Sequence, residues 1–510
     1  MGFKLLELKL HTDFNADDLK ERIAKKLKIT DFSYTIEKQS LDARKKENIH
    51  WILRVGVTSP TLRGSQPQPR ETFHIPYKKR EQKVAVVGSG PAGFFASYIL
   101  RQAGFNVTLL EQGPDVDTRL KDIVSFEQTG QLNESSNYAF GEGGAGTFSD
   151  GKLTSRTKSI SKERAFIFDT YIKGGAPGEI AYLAHPHLGS NNLRKIVKNL
   201  RREFLEMGGQ LLFDTRVHDI VLKNGKVQSV ETSAGPIDAH YFIFAAGHSS
   251  YETYRLLMGK GIAFRVKPFA LGCRVEHAQE LVNMAQWGQA TLSGVKAAEY
   301  RLTYKSPNHL PVYSFCMCPG GKVVPAAAYK STNIVNGMSD YQRNSPYANA
   351  AVVAGVHLNE LLNRDLEPLE ALSWLQKLEE AFYDFSGGYA APACKIADFL
   401  SGTVSTTFNK SSYPFDLMPG DFNRLLPAPV CVSLKEGLKD FSRKLKGFDQ
   451  GLMLGLESKT SSPVQAVRNE NGKSAGVENL YIAGEGSGYA GGIVSSAADG
   501  IKAALDIMQN

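Results

Sequence analysis

The first sixty residues show a regular exchange of hydrophobic and polar positions. Residues 2–10 alternate with a period of two, which predicts a β-strand. Residues 17–29 place hydrophobic side chains on one face of a helical repeat, which predicts an amphipathic helix. Two more alternating runs, 32–41 and 49–57, predict two further strands. The pattern therefore predicts a small β-α-β-β module.

The periodicity stops after this module. Residues 59–82 are rich in proline and polar side chains and follow neither a helical nor a strand period, which predicts a linker. We therefore place a domain boundary near residue 80, so that residues 1–80 form a small α+β module and its linker.

From residue 83 the pattern becomes strand, glycine turn, helix and strand, which is typical of the opening of a doubly wound α/β domain. The middle of the chain mixes helical and strand periods, and the last thirty residues return to strand, glycine loop and helix. The predicted fold class is therefore α/β. A doubly wound domain occupies residues 81–260 and 451–510, with an α+β domain inserted over 261–450. Within the first part, alternating residues flank Asn224-Gly225, which predicts a β-hairpin.

The composition mainly excludes membrane-inserted and disulfide-rich classes of protein. At 510 residues, with 42% hydrophobic and 22% charged residues, the chain suggests a globular protein of about three domains. No apolar run approaches the roughly 18 residues of a membrane span, so we expect no membrane insertion. Five cysteines do not make a disulfide framework, so a reducing cytoplasm is the expected location.

The positive charge lies at one end of the chain. Residues 1–80 hold 17 Lys+Arg against 10 Asp+Glu, whereas the whole chain has a net charge of +8. A basic module can meet nucleic acid, an acidic partner or an anionic surface, or its helix can simply present a solvated face of both signs. Charge alone leaves these readings open.

The glycine turn after the first strand of the α/β domain has the spacing of a dinucleotide-binding loop. In "VAVVGSGPAG", Gly88 makes the tight turn, Gly90 lets the backbone approach a pyrophosphate and Gly93 lets helix and strand pack closely. Glu111 ends the next strand 18 residues after Gly93, where its carboxylate can accept hydrogen bonds from an adenosine ribose. The predicted binding loop comprises Gly88, Ser89, Gly90, Pro91, Ala92 and Gly93.

The end of the chain selects the dinucleotide. The segment "LYIAGEGSGYAGGIVSSAADG" (480–500) resembles that of FAD-binding flavoproteins with a glutathione-reductase-like fold. The resemblance implies noncovalent FAD, with an acid-bearing loop near the ribityl chain and a helix N-terminus directed at the flavin. Glu485 stands where the usual acid is Asp. The residues implied are Gly484, Glu485, Gly491, Gly492 and Ile493, together with Ala246 and Gly247 of "FIFAAG".

Further motifs narrow the resemblance. "GEGGAGTFSDGKL", "HPHLGS", "KPFALGCRVEH", "YSFCMCPGG" and "ESKTSSPV" are together similar to a family of bacterial FAD-dependent dehydrogenases. The likeness runs over nearly the whole chain, and it implies a cofactor without implying a substrate. The first of these motifs is a glycine-rich loop that either wraps the flavin phosphates and ribityl chain, with Gly144, Gly146 and Ser149 as contacts, or is a surface loop.

Flavin chemistry needs a proton donor or acceptor beside the substrate. His248 follows the "AAG" turn and either faces the flavin or stabilises backbone. Lys267, Arg274 and His277 lie where the chain enters the inserted domain; Arg274 either binds an anionic substrate or pairs with Glu276 on the same strand face. These four basic residues are the catalytic candidates.

Two other groups lack the pattern of a known site. His185 and His187 are two residues apart, but no further metal ligands accompany them, so we predict no metal site. Cys316 and Cys318 share one face of a strand and do not form the CxxC of a disulfide reductase, so we interpret them as structural.

The chain has one strand–GxGxxG–helix unit, which leaves NAD(P)H only a transient site as an electron donor. We expect hydride transfer between FAD and a small organic substrate beneath the inserted domain. The competing hypothesis is a flavoprotein that docks to RNA or a protein through residues 1–80, whose Phe32, Tyr34 and Trp51 either stack bases or form core. The oligomeric state does not follow from the sequence.

Overall fold

The computed structural model describes residues 2–64, 73–155, 157 and 159–509. The amino-terminal module is an antiparallel sheet covered by one helix, as the hydrophobic pattern predicts. Its strands pair in the order β1-β3-β2. Asn15 caps the helix with Asp18 as its capping-box partner, and Leu19 and Ile23 are buried against the sheet. The elements are β1 (Gly2–Leu10), α1 (Ala16–Leu27), β2 (Ser33–Asp42) and β3 (His50–Ser59).

The module lies against the dinucleotide domain through a short strand-like bridge. The Gln39 N–H donates to the Tyr182 carbonyl at 2.8 Å, and the Ala184 N–H donates to the Gln39 carbonyl at 2.8 Å. Of the predicted linker, residues 65–72 lie outside the described residues.

A parallel sheet forms the centre of the α/β domain, with its strands in the order β22-β10-β4-β5-β6. The predicted hairpin at Asn224 and Gly225 is confirmed: both residues have positive φ, at 50° and 72°, between two paired strands. The elements before the inserted domain are β4 (Lys83–Val87), α2 (Pro91–Gln102), β5 (Asn106–Leu110), α3 (Val116–Thr129), α4 (Ser161–Lys173), α5 (Gly189–Glu206), β6 (Gln210–Leu212), β7 (Val217–Lys223), β8 (Lys226–Thr232), β9 (Gly235–Asp238), β10 (Tyr241–Phe244) and α6 (Tyr251–Gly259).

The inserted domain is built on a large, mostly antiparallel sheet in the order β13-β14-β17-β12-β20-β18-β19. Its strands and helices up to residue 444 are β11 (Phe264–Val266), β12 (Phe269–Ala278), α7 (Gln279–Trp287), β13 (Thr303–Ser306), β14 (His309–Cys318), β15 (Gly321–Pro325), β16 (Val335–Ser339), β17 (Tyr347–Val356), α8 (Leu358–Leu362), α9 (Pro368–Ser386), β18 (Ala391–Lys395), α10 (Ile396–Ser401), β19 (Leu417–Pro419), α11 (Phe422–Leu425) and α12 (Ala428–Lys444).

The chain then completes both sheets. The strand after residue 450 pairs with β12 and β18, so the large sheet extends beyond the limit of 450 that the sequence suggested. This strand is fully buried on both faces, which leaves it no alternation by which to assign it to either domain. The closing elements are β20 (Leu452–Glu457), β21 (Val464–Ala466), β22 (Leu480–Ile482) and α13 (Ile493–Gln509).

Candidate active site at the edge of the parallel sheet

The predicted dinucleotide-binding residues follow the ends of neighbouring parallel strands. Gly88 follows β4 and Glu111 follows β5. Ala246 lies shortly after β10, and Gly484 lies shortly after β22. Because parallel strands present their carboxyl ends at one edge of a sheet, these residues are gathered at a single edge. This is where open α/β sheets bind their ligands.

Close backbone packing explains the glycines of the first loop. A Cβ at Gly93 would lie 1.9 Å from the Gly88 carbonyl oxygen. Gly88 itself has a φ of 100°, and its Cβ would lie 2.5 Å from the Ala245 carbonyl oxygen. Helix α2 begins directly at Pro91, and no side chain caps its first turn. Its first N–H groups are thereby left for an anion.

The glycine-rich loop closes over the dinucleotide loop and the last helix. A Cβ at Gly144 would lie 3.0 Å from the Gly90 Cα, and one at Gly146 would lie 3.0 Å from Ile493 Cγ1. A cavity of about 40 Å³ lies between these segments, and Ser89, Pro91 and Gly146 line it. Three segments that the sequence assigned to one cofactor are therefore in contact.

A buried arginine that the sequence analysis missed shapes this loop. Arg119 on α3 is fully buried and donates to backbone carbonyls of the loop, including those of Gly141, Glu142 and Gly144 at 2.8–3.2 Å. Burial lowers the pKa of Arg119 to about 10, still well above neutrality. Its position on an otherwise ordinary amphipathic helix gave no signal in the sequence.

Some side chains that the sequence analysis assigned to FAD form hydrogen bonds within the protein. The Glu111 carboxylate accepts from the Ser89 N–H at 3.0 Å, the Ser89 hydroxyl at 2.7 Å and the Gly113 N–H at 3.0 Å. The Ser149 hydroxyl donates to the Gly146 carbonyl at 2.7 Å. Glu111 and Ser149 therefore brace the loops in this structure, and direct contacts of either to FAD stay predictions.

The remaining surroundings fit a polar ligand at this edge. A Cβ at Gly247, Gly491 or Gly492 would meet no atom within 4 Å, so open space faces these glycines. Within the described part of the chain, the buried Nε2 atom of His248, the residue after Gly247, has no hydrogen-bond partner. Unsatisfied buried polar atoms are costly, and a bound nucleotide would satisfy them.

Two of the four catalytic candidates lie beside the loop after β22. His248 Nδ1 is 3.5 Å from a Glu485 carboxylate oxygen, and the His248 side chain is 10% exposed. Lys267 Nζ donates to the Gly488 carbonyl at 2.8 Å. Burial lowers the pKa of Lys267, while the nearby Glu485 opposes that shift. The structure thus brings His248 and Lys267 to the loop that carries Glu485, and the catalytic roles of His248 and Lys267 stay predictions.

The expected pairing of Arg274 with Glu276 is wrong. Arg274 instead donates to Glu457 at 3.0 Å and to Asn349 at 2.8 Å, because it turns toward β20 and β17. Glu276 accepts from Ser412. Burial raises the pKa of Glu457 to about 7 even though Arg274 lowers it.

His277 does not join this group. It lies near the far end of β12 from Lys267, and ten residues of strand span roughly 30 Å. The ring is 3% exposed, its Nε2 lies 2.8 Å from the Phe448 carbonyl, and burial lowers its pKa to about 4. His277 and Lys267 are grouped in the sequence analysis because both are basic and close in sequence. The length of β12 separates their side chains.

A second charged cluster, also missed, joins the glycine-rich loop to the inserted domain. Asp150 is fully buried and accepts from Arg343 at 2.6 and 3.0 Å, and Lys152 donates both to Asp150 and to the Met317 carbonyl. Burial favours protonation of Asp150, but Arg343 and Lys152 hold its pKa well below the usual range. Lys152 of the glycine-rich loop therefore contacts the inserted domain.

The two histidines of "HPHLGS" have different partners. His185 is 2.5 Å from Glu299, and His187 Nε2 lies 3.0 Å from the Tyr341 carbonyl. Over residues 2–64, 73–155, 157 and 159–509, no group of three His, Cys, Asp or Glu side chains is arranged to hold a metal ion.

The cysteines do not share a regular strand face. Cys316 has a φ of 42° at a bulge in β14, where the register with β17 shifts between Phe315 and Cys318. Cys316 is partly exposed and Cys318 is buried.

The aromatic residues of the amino-terminal module pack into that module. Phe32, Tyr34 and Trp51 contact its hydrophobic core, and the Trp51 indole N–H donates to the Thr12 carbonyl at 3.0 Å. This placement gives no support to base stacking. In the described residues, no helix is long and apolar enough to cross a membrane.

Comparisons with known families match this layout. The model described as "FAD-dependent protein, C-terminal domain-like" matches residues 268–460, and "FAD dependent oxidoreductase" matches 172–296. An "NAD(P)-binding Rossmann-like domain" matches 86–138, and a domain of unknown function matches 3–58.

Among solved structures, similarity is low in both sequence and superposition. A geranylgeranyl bacteriochlorophyll reductase-like protein from Thermoplasma acidophilum is 12% identical, with a TM-score of 0.38 over 85% of this chain and 79% of that chain. Glycine oxidase from Geobacillus kaustophilus is 13% identical, with a TM-score of 0.34 over 84% and 95%. These scores are too low to carry an argument about substrate.

A relative that aligns over nearly its whole length shows to which family the chain belongs. A protein of Clostridium beijerinckii (strain ATCC 51743 / NCIMB 8052), described as "Uncharacterized protein", is 38% identical over 531 residues, covering 100% of this chain and 99% of its own length. With the FAD-binding Rossmann-like sheet and the matching family models, the chain belongs to a bacterial family of FAD-dependent proteins, the family that its motifs resemble.

Proposed function

We propose that the protein transfers a hydride between noncovalently bound FAD and a small organic substrate in the cleft between the parallel sheet and the large sheet. The observation that carries the proposal is the meeting of two sets of residues. Glycine loops of the dinucleotide-binding type lie at the edge of the parallel sheet, and Lys267, at the start of the inserted domain, contacts the loop after β22, where His248 lies 3.5 Å from Glu485. A cofactor-only role would not need buried charge at this position.

FAD, when bound, supplies the two-electron chemistry. The chain's own residues supply charge and protons around it. His248 keeps Nε2 without a partner among the described residues while Nδ1 faces Glu485, so a proton held at Nε2 is available to a ligand. Lys267 is a cation whose charged form burial disfavours, which suits a group that pairs with an anionic substrate.

The electron donor is part of the proposal. In the part of the chain that the structure describes, the parallel sheet carries one glycine loop of the dinucleotide type, after β4. NAD(P)H would therefore bind transiently over the flavin, or the organic substrate itself would reduce FAD. The alternative of an RNA- or protein-docking flavoprotein has no observation in its favour, because the aromatic side chains it needs lie against the core of their own module.

An anaerobic titration with NADH and then NADPH tests the proposal. Stoichiometric bleaching of the flavin absorbance identifies a pyridine-nucleotide-driven reductase. Bleaching by a small organic reductant identifies a dehydrogenase. If neither class of compound alters the spectrum of the FAD-loaded protein, the proposal fails.

His248→Gln provides a matched comparison. The glutamine retains a hydrogen-bonding side chain but cannot take up a proton near neutral pH, so we expect flavin content to persist while the rate of reduction falls roughly 100-fold. The control is His218→Gln, since His218 is exposed on β7.

A further inference from the structure

The bulge in β14 brings two thiols together. In a regular strand, Cys316 and Cys318 would lie side by side on one face. Here one extra residue enters the pairing with β17, and Cys316 takes a left-handed conformation with a φ of 42°. The Cys318 thiol then lies 3.3 Å from the Cys316 carbonyl oxygen, to which it donates a hydrogen bond, so the two cysteines lie close together. Backbone strain at a non-glycine residue persists only where surrounding structure enforces it.

The same surroundings favour a negative charge on one of the thiols. The Arg274 guanidinium donates to the Cys316 carbonyl at 2.8 Å and to Cys318 Sγ at 3.3 Å. Lys152 reaches the intervening Met317 carbonyl from the glycine-rich loop. The interaction with Cys318, with the charges of Lys152 and Arg274, lowers the pKa of Cys316, while burial and Asp150 act in the opposite sense.

The two thiols differ in access. Cys316 is partly exposed, whereas Cys318 is buried beside it, and its hydrogen bond to Cys316 together with burial raises the pKa of Cys318 well above its usual range. An accessible thiolate next to a protected second thiol is the usual arrangement of a redox-active pair. The other cysteines, Cys273, Cys394 and Cys431, are all buried.

We propose that Cys316 and Cys318 form a thiol–disulfide exchange site for low-molecular-weight disulfides, RSSR. The Cys316 thiolate attacks one sulfur of RSSR, forming a Cys316–S–SR bond and releasing RS⁻. Cys318 then loses its proton to solvent and attacks Cys316 Sγ, forming the Cys316–Cys318 disulfide and releasing the second RS⁻. The pair has given up two electrons, and RSSR has become two thiols once the released thiolates are protonated.

The glycine-rich loop also joins the cysteine bulge to the proposed FAD site. Lys152 belongs to the glycine-rich loop that contacts Gly90 and Ile493 of the FAD cradle, and it contacts the cysteine bulge directly. Reduced FAD would return two electrons and two protons to the disulfide, restoring the dithiol and oxidised FAD. This return step rests on the proposed function, whereas the exchange step does not.

Trapping by mass spectrometry tests the exchange step. The FAD-loaded protein is reduced, freed of reductant, exposed to oxidised glutathione without oxygen, and then alkylated and digested. Wild type should yield a Cys316–Cys318 disulfide, and Cys318→Ser should accumulate a mixed disulfide of glutathione at Cys316. Cys316→Ser should form neither product, and Cys431→Ser, at a buried cysteine elsewhere, should behave as wild type.

Failure of wild type to form the internal disulfide, or of Cys318→Ser to trap glutathione at Cys316, overturns the proposal. An unchanged flavin spectrum and thermal unfolding curve show that each variant is folded. The return step has a separate readout: anaerobically reduced flavin should be reoxidised by oxidised glutathione in wild type and not in Cys316→Ser. If trapping succeeds and reoxidation fails, the exchange site stands and its coupling to FAD is lost.

Discussion

Missing side chains matter as much as present ones at the edge of the parallel sheet. Gly88 and Gly93 allow backbone to approach backbone, and Gly491 and Gly492 leave open space before the last helix. Two buried arginines then satisfy polar groups by hydrogen bonding. Arg119 donates to carbonyls of the glycine-rich loop, and Arg274 donates to Glu457. The packing at this edge therefore depends on single atoms at these positions.

Gly93→Ala should weaken FAD binding. The new Cβ would lie 1.9 Å from the Gly88 carbonyl oxygen, so loop and helix must separate. Overpacking of this kind costs about 1–3 kcal/mol, or roughly 5- to 150-fold in affinity if the bound form bears the cost. Equilibrium titration of the FAD-free protein with FAD measures the change. Gly259→Ala is the control, because a Cβ there meets nothing within 4 Å, and a similar loss in both variants would contradict the assignment.

Arg274→Met should destabilise the inserted domain. Arg274 and Glu457 are 0% and 2% exposed, so removing one partner leaves an uncompensated buried group at a cost of about 3–5 kcal/mol. The double variant Arg274→Met, Glu457→Leu should recover part of that stability, since no buried charge of this pair is left over. Urea unfolding followed by tryptophan fluorescence compares them, and equal stability of wild type and Arg274→Met would refute the pairing.

His277 should make the protein acid-sensitive. Burial lowers its pKa from 6.5 to about 4, so the stabilisation is complete above pH 6.5 and is lost as the pH falls toward 4. This shift in the pKa of His277 lowers the free energy of unfolding by about 3 kcal/mol between pH 6.5 and pH values below 4. His277→Gln keeps a donor for the Phe448 carbonyl but does not titrate. Its stability should therefore fall less steeply over this pH range, and an unchanged slope would contradict burial of the neutral ring.

Whole elements show where sequence reasoning succeeded. The dinucleotide loop, the hairpin at Asn224 and Gly225 and the return of the chain to the parallel sheet were all predicted, because each depends on local geometry that only certain residues allow. Contacts between residues far apart in the sequence were not predicted. Arg274 with Glu457, and Lys152 with Met317, are separated by more than a hundred residues, and strand register decides such contacts.

Cys316 and Cys318 illustrate the same limit within one strand. Regular alternation placed them on one face, but the bulge depends on how β14 pairs with β17, which lies some thirty residues later. No residue preference marks that bulge in the sequence.

The packing of α13 on α2 links the last helix to the cofactor loop. A Cβ at Gly500 would lie 2.0 Å from the Ala92 carbonyl oxygen, on the first turn of α2. Gly500→Val should therefore displace both helices and reduce the FAD content of the purified protein by more than half, a larger effect than that of Gly93→Ala. Lys502→Ala on the same helix is the control, and full flavin content in both variants would show that this contact is unimportant.

The molecule as a whole joins three parts around one edge. The amino-terminal module reaches the α/β domain through two backbone hydrogen bonds at Gln39, and the inserted domain reaches it through charged side chains. Almost any residue can make such backbone hydrogen bonds, so the attachment of the module could not be predicted from residue types.

Gln39→Pro should loosen the amino-terminal module without removing FAD. Proline has no N–H to donate to the Tyr182 carbonyl, whereas Gln39→Ala retains that donor. We expect amide hydrogen exchange at residues 182–184 to quicken in the proline variant alone. Equal exchange in both variants would show that the bridge does not hold the module.

The FAD content of the purified protein is the most direct measurement of the whole arrangement. Acid precipitation followed by absorbance of the supernatant gives the FAD released per chain and shows whether the cofactor is noncovalent. We predict close to one FAD per chain in wild type and a marked loss in Gly93→Ala. A chain that carries no flavin and takes up none on reconstitution would contradict a cofactor site at the edge of the parallel sheet.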